Sequence, residues 1–395
     1  MKRTFVLLAL AAALLLLAEG TRIPIYINVT VGSGADEFYS RVWKRLLEEK
    51  PDYVDITTSP STKVVFRFDL TLLDLDKEFE AIWKEGTEVI ADLKYEKDSL
   101  LPLKFYIQDV VSIPLEKAAF KKASIGDFGN ALRLTYNSGV DEYPSFSPDG
   151  RYLLFSSDRF TGNRDIYVLD LSKASLRRIN IGGSSDYFPK VSPNGKLIAF
   201  QGSLYGNWGV FTIPFSGDVR ALRRIAGGRT AVYMPSWIND NEIVAVKDEG
   251  NGNVLCIYNL KDRRCKSVKL PWRYVFSPYP ISENEFLVTA LNKADFGIYK
   301  VTTSGSYTAV ENTRYNEHDP ILSPDGKVLL FTSNRDGVYR VWAKNLENGK
   351  VWVVTGDIDY DAFYPSFHPS GKYIAVSVYK PGWEPDIWLV RVNGM

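Results

Sequence analysis

The chain has 395 residues, room for two or three ordinary domains. Aromatic residues make up 13% of it while only 3 methionines occur, a balance that suits sheets packed face to face. Its 48 basic and 47 acidic residues leave none of the basic excess that nucleic-acid and membrane-surface binders carry, so those classes are set aside.

At the start, Lys2 and Arg3 precede an unbroken apolar run from Phe5 to Leu17, followed by Ala18-Glu19-Gly20. Small residues at the two positions a signal peptidase reads predict an export signal over 1–20, cut after Gly20. No cysteine follows the run, so it is not a lipoprotein signal, and no later apolar segment is long enough to span a bilayer. Next, Arg22 to Val31 alternates like a strand, and Ala35 to Lys50 carries an apolar helical stripe of Phe38, Val42, Trp43, Leu46 and Leu47. Gly32-Ser33-Gly34 lacks the further glycine or lysine of a nucleotide-binding loop. Tyr53 to Thr57 and Val64 to Leu75 read as extended, Asp76 to Gly86 as a second helix, and Thr87 to Tyr95 and Leu103 to Val111 as strands. Strands alternating with two helices predict a small α/β domain over 21–115, followed by a linker over 116–130.

From residue 131 onward the chain is a repeat array. Tyr143 to Ser147 is a strand opened by Pro144, and Pro148-Asp149-Gly150 is a turn in which proline presets φ and glycine accepts a positive one. Arg151 to Ser156, Asp165 to Leu171 and Leu176 to Ile179 complete a four-stranded meander. The opening proline returns as Pro189, Pro235, Pro278, Pro320 and Pro365, at steps of 45, 46, 43, 42 and 45 residues. A four-stranded unit at this period cannot bury both faces alone, and radial stacking of six such units predicts a six-bladed β-propeller over 131–395. The sixth repeat stops after its third strand, and Ala131 to Tyr136 has the sequence of a fourth strand, so the chain's two ends should meet in one blade.

The only cysteines, Cys256 and Cys265, fall on the third and fourth strands of the third repeat, equidistant from the bond between Leu260 and Lys261. A symmetrical hairpin would set them directly opposite each other, and in an exported protein such neighbours can oxidise to a disulfide; two free thiols are the other reading. Their spacing, with no histidine nearby, is not a zinc signal.

The repeat YPSFSPDGRYLLFSSDRFTGNRDIYVLDL resembles the WD-like blade of the TolB family, and an exported α/β domain followed by six such blades is that family's layout. Residues 81–111 and the stretch Asp127-Phe128-Gly129-Asn130 before ALRLT are similar to the corresponding TolB segments. The resemblance implies a periplasmic, non-enzymatic component of the Tol-Pal cell-envelope system, monomeric and without a cofactor. It also implies a Pal-like lipoprotein bound through the propeller and a TolA-like inner-membrane protein bound through a free N-terminal segment. Cleavage after Gly20 would leave little such segment ahead of the first strand. The alternative is an exported propeller enzyme, or a carbohydrate- or peptide-binding protein, outside Tol-Pal.

A serine hydrolase would need a histidine base, and only His318 and His368 exist, expected at opposite ends of the propeller. No Gly-x-Ser-x-Gly elbow occurs. Asp357, Asp359 and Asp361 echo a calcium loop but lack its glycine and distal glutamate, so they read as a solvated turn and no metal is expected. The expected binding surface is the end where blade-to-blade loops gather. There the residue two before each opening proline should face the channel mouth: Glu142, Tyr187, Tyr233, Phe276, His318 and Phe363. The neighbouring loops add Arg159, Tyr205, Arg335 and Trp383, a mixture typical of interface hot spots.

Overall fold

The computed structural model describes residues 21–59, 64–99, 102–159 and 162–393, and the expected export signal lies outside the described residues. Contacts divide the described residues into two compact units, one running to residue 138 and including 172–174, the other comprising 139–171 and the residues from 175 onward. Among the described residues no helix is long and apolar enough to cross a membrane.

The first unit is a five-stranded sheet with two helices. In chain order these are β1 (Ile23–Val31), α1 (Asp36–Glu49), β2 (Val54–Thr57), β3 (Phe66–Asp74), β4 (Glu78–Glu85), β5 (Glu88–Glu96) and α2 (Leu103–Ile125). The sheet order is β2-β1-β3-β4-β5, with β1 parallel to both neighbours and β3 to β5 an antiparallel meander. The helix expected over 76–86 is instead β4. Its glutamates, lysine and alanine favour helix, but Ala81 and Trp83 are buried at a spacing of two, and Gly86, at φ +63°, turns the chain directly into β5.

The strand expected over 103–111 and most of the expected linker are one 23-residue helix, α2. The aromatic and β-branched residues of its first half favour strand locally, but α2 is buried on nearly all sides, where packing overrides propensity. It tolerates Pro114 because Trp83 compensates. The proline has no N–H for the carbonyl of Val110, and the Trp83 Nε1–H donates to that oxygen at 2.9 Å.

The remaining strands form the propeller. Its sheets each have four antiparallel strands, and the sixth reads Asp361–Phe367, Tyr373–Tyr379, Asp386–Arg391 and Ala131–Arg133. The closing strand is thus in the expected blade, though it covers three residues rather than six. The proline-glycine turns share one network. The Ser147 hydroxyl donates to Asp149 and accepts from the amide of Tyr152, and Ser192 and Ser323 repeat this with Asn194 and Asp325. Blade six substitutes His368, whose Nδ1 pairs with Ser370 at 2.8 Å while Nε2 reaches the Gly150 carbonyl of blade one at 3.1 Å. A Cβ at Gly150 would lie 2.5 Å from that ring, so the turn requires glycine for space as well as for its φ of +72°.

The structure places Cys256 and Cys265 in a disulfide, with Cα atoms 5.3 Å apart. They are not directly opposite. Tyr258 pairs with Cys265 and Cys256 with Ser267, because the loop between the strands holds five residues and closes through the Arg263 amide on the Asn259 carbonyl. The bond therefore joins diagonal neighbours on one face.

Candidate functional site: the propeller channel and its rim

Each blade's innermost strand carries the same irregularity. The ladder to the second strand breaks between Glu142 and Ser145, and again at Tyr187/Lys190, Tyr233/Ser236, Phe276/Tyr279, His318/Ile321 and Phe363/Ser366. Inside every break the residue just before the proline has a positive φ: Tyr143, Phe188, Met234, Ser277, Asp319 and Tyr364, between +47° and +58°. Such a φ is uncommon outside glycine, and a sixfold recurrence makes it part of the architecture. All six line the channel. The residue two before the proline, expected to face the channel mouth, is absent from this lumen lining.

The rim residues form a continuous aromatic arc. Ring contacts run from Tyr274 to Phe276 (6.4 Å), Phe296 (6.0 Å), His318 (4.8 Å), Tyr339 (6.1 Å) and Phe363 (4.9 Å). They continue through Tyr364 (6.0 Å) to Tyr143 (4.5 Å), Tyr187 (5.8 Å) and Trp208 (5.3 Å). The arc spans blades four, five, six, one and two, and its rings are half-buried. Among the described residues Tyr233 makes no ring contact; its hydroxyl is bound to Asp248, and its pKa is raised by burial and by that carboxylate.

Charges on the rim are paired. Glu142 accepts from Arg164 and from the Tyr379 hydroxyl, and the Arg164 guanidinium lies 4.8 Å over the Tyr187 ring. Arg164 was missed by the sequence reading; its signal was its position at the head of the third strand, facing the acidic Glu142. Arg159 is 2% exposed and held by Asp141 at 2.8 Å, while Arg335, its counterpart in blade five, is bound by Glu311 at 2.8 Å and Glu317 at 3.2 Å. Both brace their blades. Trp383 sits half-buried in the loop after Tyr373–Tyr379; Tyr205 is on a 3-10 turn at Leu204–Gly206, and its side chain lies outside the described residues.

Deeper in, the channel is apolar on one side and ionisable on the other. The Tyr143 and Phe188 rings meet tilted at 38°, 3.9 Å between centroids, beside Tyr364. Opposite, Asp319 accepts from the Ser277 hydroxyl at 2.8 Å, and burial pushes its carboxyl above the usual range while pushing His318 below it. The serine donates to the carboxylate, not to an imidazole, so the trio lacks the order of a hydrolase site. Lys190, from blade two, faces the same lumen; desolvation lowers its ammonium to about 8 against the attraction of Asp319. Among the described residues no group of three or more acidic, histidine or cysteine side chains is arranged to hold a metal, and Asp361 accepts from the amide of Tyr339 at 2.8 Å.

This geometry defines a class, a six-bladed β-propeller whose inner strands deliver one side chain each to a narrow lumen. Its blade sequence narrows that class: the TolB beta propeller domain family matches residues 126–222, and the chain carries a TolB-like propeller. The Tol-Pal system protein TolB of Francisella tularensis is 26% identical over 64% of this chain and 48% of its own length. An uncharacterized protein of Agrobacterium fabrum is 31% identical over 29% of the chain and 42% of its own. The chain thus spans under half the length of these curated relatives. Among solved structures, TolB from Acinetobacter baumannii aligns over 94% of both chains at 15% identity, with a TM-score of 0.35.

Proposed function

We propose that this is an exported, non-enzymatic binding protein of the TolB kind, which captures a protein partner on the aromatic arc at the loop end of its propeller. The arc carries the reading. Half-buried tyrosine, phenylalanine and tryptophan rings held rigid by one another are the side chains that dominate interface energetics, because they lose little freedom on docking. The relatives named as Tol-Pal components point to the periplasm and to a Pal-like lipoprotein as the partner. A TolA-like inner-membrane protein would be a second.

The test uses a variant that leaves the paired rim charges and buried arginines untouched. Tyr187, Phe276 and Phe363 are changed together to alanine and binding to the Pal-like lipoprotein of the same organism is measured by titration calorimetry. Affinity should fall at least about a hundredfold, since single hot-spot truncations cost about 1–2 kcal/mol or more each. Undiminished binding by a folded triple variant would move the site elsewhere.

A further inference from the structure

At the opposite end of the channel, where the proline-glycine turns gather, a second cavity of about 360 Å³ opens between the inner strands. Among the described residues that line it, one bears a formal charge: Lys190. The walls are apolar, with Phe146, Trp237 and Phe367 among them, and the hydroxyls of Ser145 and Ser236 are set between. Lys190 also lines the smaller cavity of about 80 Å³ deeper in the lumen, so this residue borders both voids. Its backbone is fixed there. Lys190 pairs with Ala199 in the blade-two ladder, and its carbonyl accepts from the Trp237 Nε1–H at 2.9 Å.

No hydrogen bond or ion pair to the Lys190 Nζ occurs among the described residues, whereas Arg159 of blade one and Arg335 of blade five are each held by a carboxylate. An enclosed cation without a partner is costly, and buried charges are otherwise paired or coordinated. The attraction of Asp319 offsets only part of this, since desolvation still dominates at the ammonium. A single cation at the bottom of an apolar funnel, with a carboxylate behind it, suits one negative charge and disfavours two. No arginine fork is present in the lining for a phosphate.

We propose that the turn end of the channel is a binding site for an organic monocarboxylate with an apolar body, whose carboxylate pairs with Lys190. The acid could be a free small molecule or the C-terminus of a peptide, since both present the same group. This site is separate from the aromatic arc, and it stands whether or not a protein docks there.

The test is calorimetric titration of the whole exported chain with hexanoate, 4-phenylbutyrate and a tetrapeptide ending in a free phenylalanine carboxylate, each beside its neutral amide. At least one acid should bind saturably, and about tenfold or more tighter than its amide, as expected for a hydrogen bond to a charged group. Lys190→Gln should erase that difference, and Lys190→Arg should keep most of it. Tighter binding of the peptide assigns the natural ligand to a chain terminus, and tighter binding of the small acids to a free molecule. Absence of saturable binding by all three acids, equal binding of acid and amide, or an unchanged preference in a folded Lys190→Gln variant would overturn the proposal. The acid-against-amide comparison on the unaltered protein decides even where the glutamine variant does not fold.

Discussion

Asp141 and Asp186 hold the same place in successive blades, three residues before the opening proline, yet their surroundings differ by one side chain. Asp141 is bound by Arg159; at the equivalent position blade two has Leu204. Among the described residues the Asp186 carboxylate is met only by the Ser184 hydroxyl at 2.7 Å, with Oδ2 buried and unpartnered, and burial with nearby Asp165 raises its pKa to about 7. Its folded-state pKa lies above the unfolded value near 4, so the protonated form favours the fold, and its contribution is lost as pH rises from about 4 through about 7. Asp186→Asn should therefore be more stable than the natural protein at pH 8, by about 2 kcal/mol, and near-equal at pH 4. Urea midpoints at the two pH values check this. The same scale explains what the sequence hid at the channel. Counting by twos along the inner strand puts Tyr187 and Phe363 at the channel mouth. The left-handed residue before each proline interrupts that count, so Phe188 and Tyr364 take the lumen. Nothing in a Tyr-Phe-Pro string announces a bulge, whereas its recurrence in six blades does.

Elements were legible where local chemistry and packing agreed. The turns with serine, proline and glycine, the blade period and the stripe of α1 all specify their own geometry, and the structure follows them except at Leu47, which is exposed. β4 and α2 were misread because their cores overrule their propensities. Trp83 joins the two. Its indole fills the core of the first unit at 0% exposure while its Nε1–H replaces the donor that Pro114 lacks. Trp83→Phe keeps most of the ring but leaves the Val110 carbonyl unpaired, and should lower stability by about 1–3 kcal/mol. Adding Pro114→Ala should recover part of that loss, because the helix then supplies its own N–H; thermal melts of the single and double variants measure the coupling. The Cys256–Cys265 bond closes a short loop, so Cys256→Ser with Cys265→Ser should cost about 2–3 kcal/mol. Thiol titration under denaturing, non-reducing conditions should find no free thiol.

For the whole propeller the decisive place is the seam between blades six and one. There the Asp141 amide donates to the Pro385 carbonyl at 2.8 Å, the Tyr143 amide to the Ser377 hydroxyl at 3.2 Å and the Phe146 amide to the Ser366 hydroxyl at 3.2 Å. His368 adds its reach to Gly150. These bonds join residues more than two hundred positions apart, so they form late and at a large loop-closure cost, which the burial of both blade faces must offset. Blade number and closure were readable because a missing strand at one end matched a surplus one at the other. Which surface binds what was not, because a rim of aromatic rings is written in the same residues that pack blades together.

The bulge before each proline has one more consequence. A single backbone device, repeated around the ring, hands each blade one independent vote on the chemistry of the lumen: tyrosine, phenylalanine, methionine, serine, aspartate and tyrosine in turn. Those six positions hold the strand through their backbone while their side chains meet one another in the lumen, so exchanging them repacks the bore more than the blades. A descendant could exchange a greasy bore for a charged one by six codon changes, and proteins with nearly the same blades can therefore part company in what passes through or lodges in their centres.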